Sequence, residues 1–369
     1  MTKHILFVED DETQCDMFQT ALADWNGKNA SIGRRFTAEL AESVERATEY
    51  LHRRRFDAAL FDLRIQSEAG GKPEPKGNDL AKFALNENGI PVAVISANTS
   101  ELDETVRDAG AVAVFDKLEV SSETNYYDRA LTWLGDQWDM MDVLAVAKRA
   151  MDRSAADIFL ARLWPRWKTY SDLCTGADRV ELEKIVTRQY VSHMADLLGL
   201  DDPENVSWHP FENYISPALM SSRAHTGDIF DLNDGRWVVL TPQCDMATRK
   251  IENVLLAKCV LGIPNWKEIK EKLKAATSKT AREACDTFFK RYLNQNLEPS
   301  KHFLPPLPGE DEPLLVHFGS LKCVPLEEIE GQLTARKASI STPFLSNIVQ
   351  RFGSYASRTG QPNIDMARL

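Results

Sequence analysis

Five side chains in the first third of the chain are of types that together handle an anionic group. Asp10 and Asp11 follow the apolar run "HILFV", inside the acid triplet Glu9-Asp10-Asp11. Asp62 stands in "LFDLR", Ser96 ends "IPVAVIS", and Lys117 closes "VFDK". Carboxylates crowded at the end of a buried strand repel one another, so a cation is expected among them. A hydroxyl and an ammonium added to three carboxylates make a set able to hold a metal ion and an anion together. Ser and Asp after a strand also cap helices, and any one of the five alone is explained that way. Their joint occurrence at the ends of successive apolar runs is not.

The elements that must position these residues alternate. Strand patterns cover 4–8, 56–62, 90–96 and 111–116, with a weaker, edge-like one at 31–37. Amphipathic helical patterns lie between them: "ETQCDMFQTALADW", "ELAESVERATEYLHRR", "GNDLAKFALNE" and "SELDETVRDAG". Short, nearly continuous apolar strands separated by helices predict a doubly wound parallel sheet covered on both faces. In such folds ligands bind at the carboxyl ends of the strands, where the five residues fall.

This order of residues on this topology resembles the receiver domain of bacterial response regulators, over residues 1–130. The resemblance implies a five-stranded α/β domain with Asp62 as phosphoacceptor. It implies Asp10 and Asp11 as the acidic pair that organises Mg²⁺, with Asp62 and the backbone carbonyl of Arg64 completing the metal set. Ser96 then contacts the phosphoryl group and Lys117 pairs with it. The chemistry is coherent, because a carboxylate attacks an anionic donor only when the incoming charge is neutralised. A hard divalent ion on oxygen ligands supplies that neutralisation. The sequence departs from the family in three places. Leu118 follows the lysine where a proline is usual. Val114, with Phe115 beside it, occupies the aromatic switch position. A segment rich in Gly, Pro and Lys, "RIQSEAGGKPEPKG", separates Asp62 from the helix-opening Gly77, and is read as an exposed loop carrying Lys72 and Lys76.

Composition bounds the rest. The 369 residues are long enough for two or three domains. Residues 1–140 hold 15 Lys and Arg against 26 Asp and Glu, and the remainder balances at 29 each, so all of the net charge of −11 lies in the first segment. Such an acidic module is a poor nucleic-acid binder. No apolar run approaches the roughly 20 residues that span a bilayer, and the start lacks a signal-peptide pattern. Six scattered cysteines, without a C-x-x-C pair, fit a reducing, cytoplasmic setting.

Residues 131–204 read as a helical linker. Trp133, Trp138, Trp164 and Trp167 fall there near helical spacing and are expected in a core or helix seam. Residues 205–369 read as an α+β domain. "GDIFDL" and "GRWVVLTP" form a hairpin about Asn233-Asp234-Gly235, "NVLLAKCVLG" and "LLVHFGSLKCVPLEEI" add strands, and a small, partly open β-barrel would accommodate them. The hairpin is faintly similar, over about fifteen residues, to the SH3-like barrel of toxin endoribonucleases. His209, His225, His302 and His317 lack metal-ligand spacing. The basic stretch 266–291 is read as a solvated helix face rather than a nucleic-acid surface. The C-terminal "RFGSYASRTGQPNI" joins aromatics to Arg351 and Arg358 as a partner-binding end.

The resulting expectation is a cytoplasmic response regulator. A histidine kinase or phosphotransfer protein would phosphorylate it, and it would signal through a protein partner of its C-terminal domain, with homodimerisation through the linker. Nucleic acid is not the favoured partner, and no membrane is implied. The competing class is a receiver-gated hydrolase or ribonuclease, a stress or phage-defence effector, using Cys244, Asp245 and His225 as a nucleophile set.

Overall fold

The structure is a computed structural model, and it describes residues 2–68, 70–119, 124–173, 179–198 and 208–359. The chain divides into two compact units, Met1–Leu182 and Glu183–Leu369. Cys174, the end of "RFGSYASRTGQPNI" and the expected boundary at 204 lie outside the described residues.

In the first unit β1 (Thr2–Val8), α1 (Glu12–Asn29), β2 (Arg35–Ala41), α2 (Val44–Arg53) and β3 (Ala58–Phe61) follow one another. A two-stranded ribbon comes next, β4 (Ile65–Gln66) against β5 (Pro73–Glu74). Then come α3 (Gly77–Phe83), β6 (Val92–Ser96), α4 (Glu104–Arg107), β7 (Val112–Asp116) and α5 (Tyr126–Asp136). The main sheet runs β2-β1-β3-β6-β7 with every pair parallel. Side chains alternate across it with period two. Leu6, Val8, Ala59, Phe61, Val92 and Val94 pack with α2, α3 and α4 on one face. Ile5, Phe7, Ala58, Leu60, Ala93 and Ile95 pack with α1 and α5 on the other. Covering on both faces is why the central strands are apolar throughout.

The weak fifth strand is at the edge, but it runs Arg35–Ala41 rather than 31–37. Residues 30–32 instead form a 3₁₀ turn closed by Gly33 at φ +70°. Asn26 fixes the start of the strand, its side-chain amide exchanging two hydrogen bonds with the backbone of Phe36. Residues 39–41, read as helical, therefore belong to the strand, and α2 begins after the N-cap Ser43. The segment after Asp62 is a short ribbon rather than a plain loop, with Gly70 N–H bonded to the Gln66 side chain.

The linker is helical: α6 (Trp138–Ile158), α7 (Trp167–Leu173) and α8 (Arg179–Leu198). Its tryptophans split. Trp138 is buried against Trp25 and Phe36 and Trp133 packs at the edge of that core, whereas Trp164 and Trp167 are exposed.

The second unit is built on β8 (Tyr214–Ile215), β9 (Asp228–Leu232), β10 (Gly235–Val239), α9 (Gln243–Thr248) and β11 (Asn253–Leu261). Helices α10 (Trp266–Ala275) and α11 (Lys279–Leu293) are inserted before β12 (Lys301–Leu304), β13 (Leu314–Pro325), α12 (Leu326–Glu330), β14 (Arg336–Ile340) and α13 (Thr342–Ala356). The sheet order is β12-β13-β11-β10-β9-β14-β8, antiparallel throughout. The sheet curls as a half-barrel, and the Tyr214 hydroxyl on one edge strand donates to the Pro305 carbonyl just beyond the other at 2.5 Å. Strand β12 lies within "LEPSKHFLPPLPGEDEP", a proline-rich stretch whose residues by themselves read as a loop. Strand β14 is likewise unpredicted, because both owe their place to long-range pairing.

Candidate functional site

Register places the site. Val8 pairs with Phe61 and Ser96 with Asp116, so the residues after β1, β3 and β7 emerge at one carboxyl edge of the sheet. The backbone ties them further: Asp62 N–H donates to Val8 O at 3.1 Å, and Lys117 N–H to Ser96 O at 3.1 Å. The order β2-β1-β3-β6-β7 reverses direction between β1 and β3, and a crevice opens at such a switch point. Asp62 stands there.

The Lys117 ammonium donates to Asp62 Oδ2 and to Glu9 Oε2, each at 2.7 Å. Glu9 is the acid that this lysine meets, a residue to which the sequence reading gives no role, Asp10 and Asp11 being its acidic pair. It is 2% exposed. Burial raises its pKa above the ordinary carboxylate value, and the Lys117 charge works in the opposite direction. Burial disfavours the Lys117 ammonium, yet Glu9 and Asp62 outweigh that penalty and hold its pKa above the usual lysine value. The Glu9 carboxylate also lies 3.5 Å from the hydroxyl of Tyr127 on α5, which is fully buried and contacts Gln14 Oε1 at 3.2 Å. Burial drives that phenol well above its usual pKa, so it remains a neutral hydrogen-bond donor.

The other predicted residues divide. Ser96 is 1% exposed and its Oγ accepts from Asn98 N–H at 3.3 Å. Asp10 accepts from Gln66 N–H at 3.3 Å, a bond that joins the acid cluster to the ribbon after Asp62. Asp11 is the N-cap of α1 and accepts from Gln14 N–H at 3.0 Å, satisfying one of the helix's unpaired donors. Arg64 folds back over the site's rim, its N–H on Asp62 Oδ1 at 3.1 Å and its guanidinium on Glu101. Gly77 is required by contact: a Cβ there would lie 2.3 Å from Asp62 O and 2.6 Å from Leu63 Cα. Leu118 is exposed, and Val114 packs into the core face opposite Phe115.

The donor chemistry fits magnesium. Asp10, Asp11, Asp62 and the Arg64 carbonyl present hard oxygens only, and Mg²⁺ is commonly held by one or two carboxylates with waters filling the remaining positions. Among the described residues no group of three or more His, Cys, Asp or Glu side chains is placed so as to hold a metal ion by itself.

In the second unit the proposed nucleophile set does not assemble into a pair. Cys244 is exposed on α9, with Sγ 3.7 Å from Asp245 Oδ1. His225 is buried and its two ring nitrogens are engaged, by Thr226 O at 2.7 Å and Gln243 Nε2 at 3.1 Å. Asp228 is fully buried and accepts from His225 N–H, Arg336 and Ser339. That network fastens β9 to β14. On the basic helices, charges pair along the helix, Lys272 with Glu268 and Lys274 with Glu271. His302 is buried with Nδ1 unpartnered, and burial lowers its pKa to about 3. His317 on the neighbouring β13 is partly exposed and is paired in register with Lys301, whereas His209 caps the turn at Pro210–Asn213.

No protein-family model matches the sequence, and no curated protein matches it either. Solved structures do. The receiver domain protein of a response regulator from Methanospirillum hungatei JF-1 is 16% identical, over 38% of this chain and 98% of that one, with a TM-score of 0.29. A response regulator from Thermotoga maritima, solved in complex with Mg²⁺ and BeF, is 15% identical over 36% and 97%, with a TM-score of 0.25. The receiver domain of a sensor histidine kinase from Pseudomonas aeruginosa PAO1, which carries a magnesium ion in its active-site cleft, is 22% identical over 37% and 98%, with a TM-score of 0.25. Independently of these likenesses, the strand order of the first unit, its parallel pairing and the helices on both faces of its sheet fit a receiver fold.

Proposed function

We propose that the chain is a two-component response regulator that accepts a phosphoryl group on Asp62. The observation that carries this reading is the Lys117 ammonium held between Asp62 and Glu9 at 2.7 Å to each, at the switch point of the sheet. An Asp62 oxygen attacks the phosphorus of a phosphohistidine donor, the P–N bond breaks, and the imidazole leaves with a proton from solvent. Lys117 turns from the carboxylate to the transferred phosphoryl oxygens, and the Ser96 hydroxyl donates to them. Asp10 and Asp11, with Asp62 and the Arg64 carbonyl, would hold Mg²⁺, which neutralises phosphoryl charge when bound.

The division into receiver (1–130), helical linker (131–204) and α+β output region (205–369) is part of the same proposal. So are a histidine kinase or phosphotransfer protein as donor, an output through protein contacts, and a cytoplasmic location. Among the described residues, no helix is long and apolar enough to cross a membrane. Engagement of the His225 ring nitrogens by Thr226 and Gln243, with Cys244 Sγ contacting Asp245, supports a binding output over the nucleophilic one.

The test is incubation of the full chain with acetyl phosphate and Mg²⁺, read on a phosphate-affinity gel beside Asp62→Ala. Retarded migration of the wild type alone supports the proposal. Unmodified protein, with no Mg²⁺-dependent uptake of beryllofluoride, overturns it.

A further inference from the structure

Helix α6 is fastened along one side to the sheet of the first unit. Trp138 and Met141 enter the core. Lys3 pairs with Asp142 at 2.6 Å, Arg55 grips both carboxylate oxygens of Asp152, and Lys148 Nζ donates to the carbonyls of Asn88 and Gly89 at 2.8 and 3.3 Å. Residues 138, 141, 145, 148 and 152 recur at intervals of three and four, so they mark one face.

The opposite face should be polar, and it is not. Met140, Val143, Leu144, Ala147 and Met151 are exposed there, Val143 to 68%. Positions 140, 143, 147, 150 and 154 follow a heptad spacing of first and fourth places, occupied by Met140, Val143, Ala147, Ala150 and Ser154. Small residues at the middle of the stripe permit a second helix to approach closely.

Charge selects the occupant. Residues 139, 146 and 153 flank the stripe on one edge, seven apart, as Asp139, Val146 and Arg153. The Asp139 side chain is 91% exposed although it accepts from Arg34, and Arg153 has no ion-pair partner among the described residues. In an antiparallel pair centred on Val146 and Ala147, Asp139 of each copy meets Arg153 of the other. A parallel pair would instead set Asp139 against Leu144 and Arg153 against Ile158 of the other copy, pairing neither charge. Antiparallel packing also places helix dipoles head to tail. We propose that the outer face of α6 is the dimer interface of this protein, covered by a second copy of the chain in antiparallel, two-fold arrangement. Because the inner face is locked to the sheet, the two first units are joined through rigid helices. The interface stands apart from the phosphorylation site.

The test is the mass of the full chain by light scattering across a concentration series, with circular dichroism to confirm the fold of each variant. Wild type is expected at twice 41.6 kDa. Val143→Asp places a charge on the stripe, and Arg153→Asp opposes acid to acid, so each should shift the mass to that of a monomer, with at least a tenfold weaker dimer. Asp139→Arg combined with Arg153→Asp should restore the dimer, since the swap recreates both pairs only in the antiparallel arrangement. A wild type that stays monomeric at hundreds of micromolar overturns the proposal. So does a dimer indifferent to Val143→Asp, or a double variant as monomeric as Arg153→Asp.

Discussion

Replacing Lys117 by methionine keeps the length of the side chain and removes its charge. Glu9, 2% exposed, then loses the ammonium 2.7 Å away, and Asp62 loses the same partner. An unpaired buried charge costs roughly 3–5 kcal/mol. Glu9 has an escape, because burial already raises its pKa and Lys117 is the main influence opposing that rise. Without the lysine the carboxyl holds its proton to higher pH, and the penalty is avoided wherever it is protonated. The folded variant then binds a proton that the unfolded chain releases near the ordinary glutamate value. Stability therefore falls as pH rises through the window between that value and the raised folded one, by about 1.4 kcal/mol per pH unit for one proton. Lys117→Met should approach wild type near pH 5 and lose most of the 3–5 kcal/mol by pH 8. The raised pKa of Lys117 itself contributes stability that is present below the ordinary lysine value and lost only as pH rises through the folded one, well above this window. Urea denaturation of the full chain at several pH values measures the effect, with Glu9→Gln/Lys117→Met as the companion variant. The double variant carries no buried Glu9 charge and should lose the pH dependence. A deficit equal at pH 5 and pH 8, or one that Glu9→Gln does not relieve, refutes the reasoning.

Other outcomes follow from single contacts. Gly77→Ala drives a Cβ into the backbone of Asp62 and Leu63, and should cost about 3 kcal/mol of stability by thermal denaturation and slow phosphorylation by acetyl phosphate. Asp228→Asn leaves the Arg336 guanidinium, 6% exposed, without its anion, and should cost roughly 3–5 kcal/mol in the same assay. His302 is buried with its pKa lowered to about 3, so the unfolded chain takes up a proton below pH 6.5 that the folded one refuses. Its contribution to stability should fall as pH drops from 6.5 toward 3, and His302→Gln should flatten that slope in urea titrations.

Much of the first unit was legible because its signals are short-range. Apolar runs of four to seven residues with amphipathic helices between them mark a covered parallel sheet, and the residue that ends or follows each run lies at the sheet's carboxyl edge. Asp62, Ser96 and Lys117 could be read in this way. The second unit was legible only in its β9–β10 hairpin and the long strands, since β8, β12 and β14 are short and are placed by partners distant in the chain.

The sequence also located the acid triplet and marked Asp10 and Asp11 as its acidic pair, but it assigned Glu9 no role. Successive residues leaving a strand point in different directions, so one position decides whether a carboxylate meets the lysine, the ribbon or a helix end. Folding sends Glu9 to Lys117, Asp10 to Gln66 and Asp11 to the start of α1. The same holds for the linker tryptophans: their helical spacing is local, while burial of Trp138 and exposure of Trp164 depend on which helix face meets the sheet. Local pattern specifies which elements form and where reactive groups stand along them; only the packing of distant segments specifies which of those groups meet.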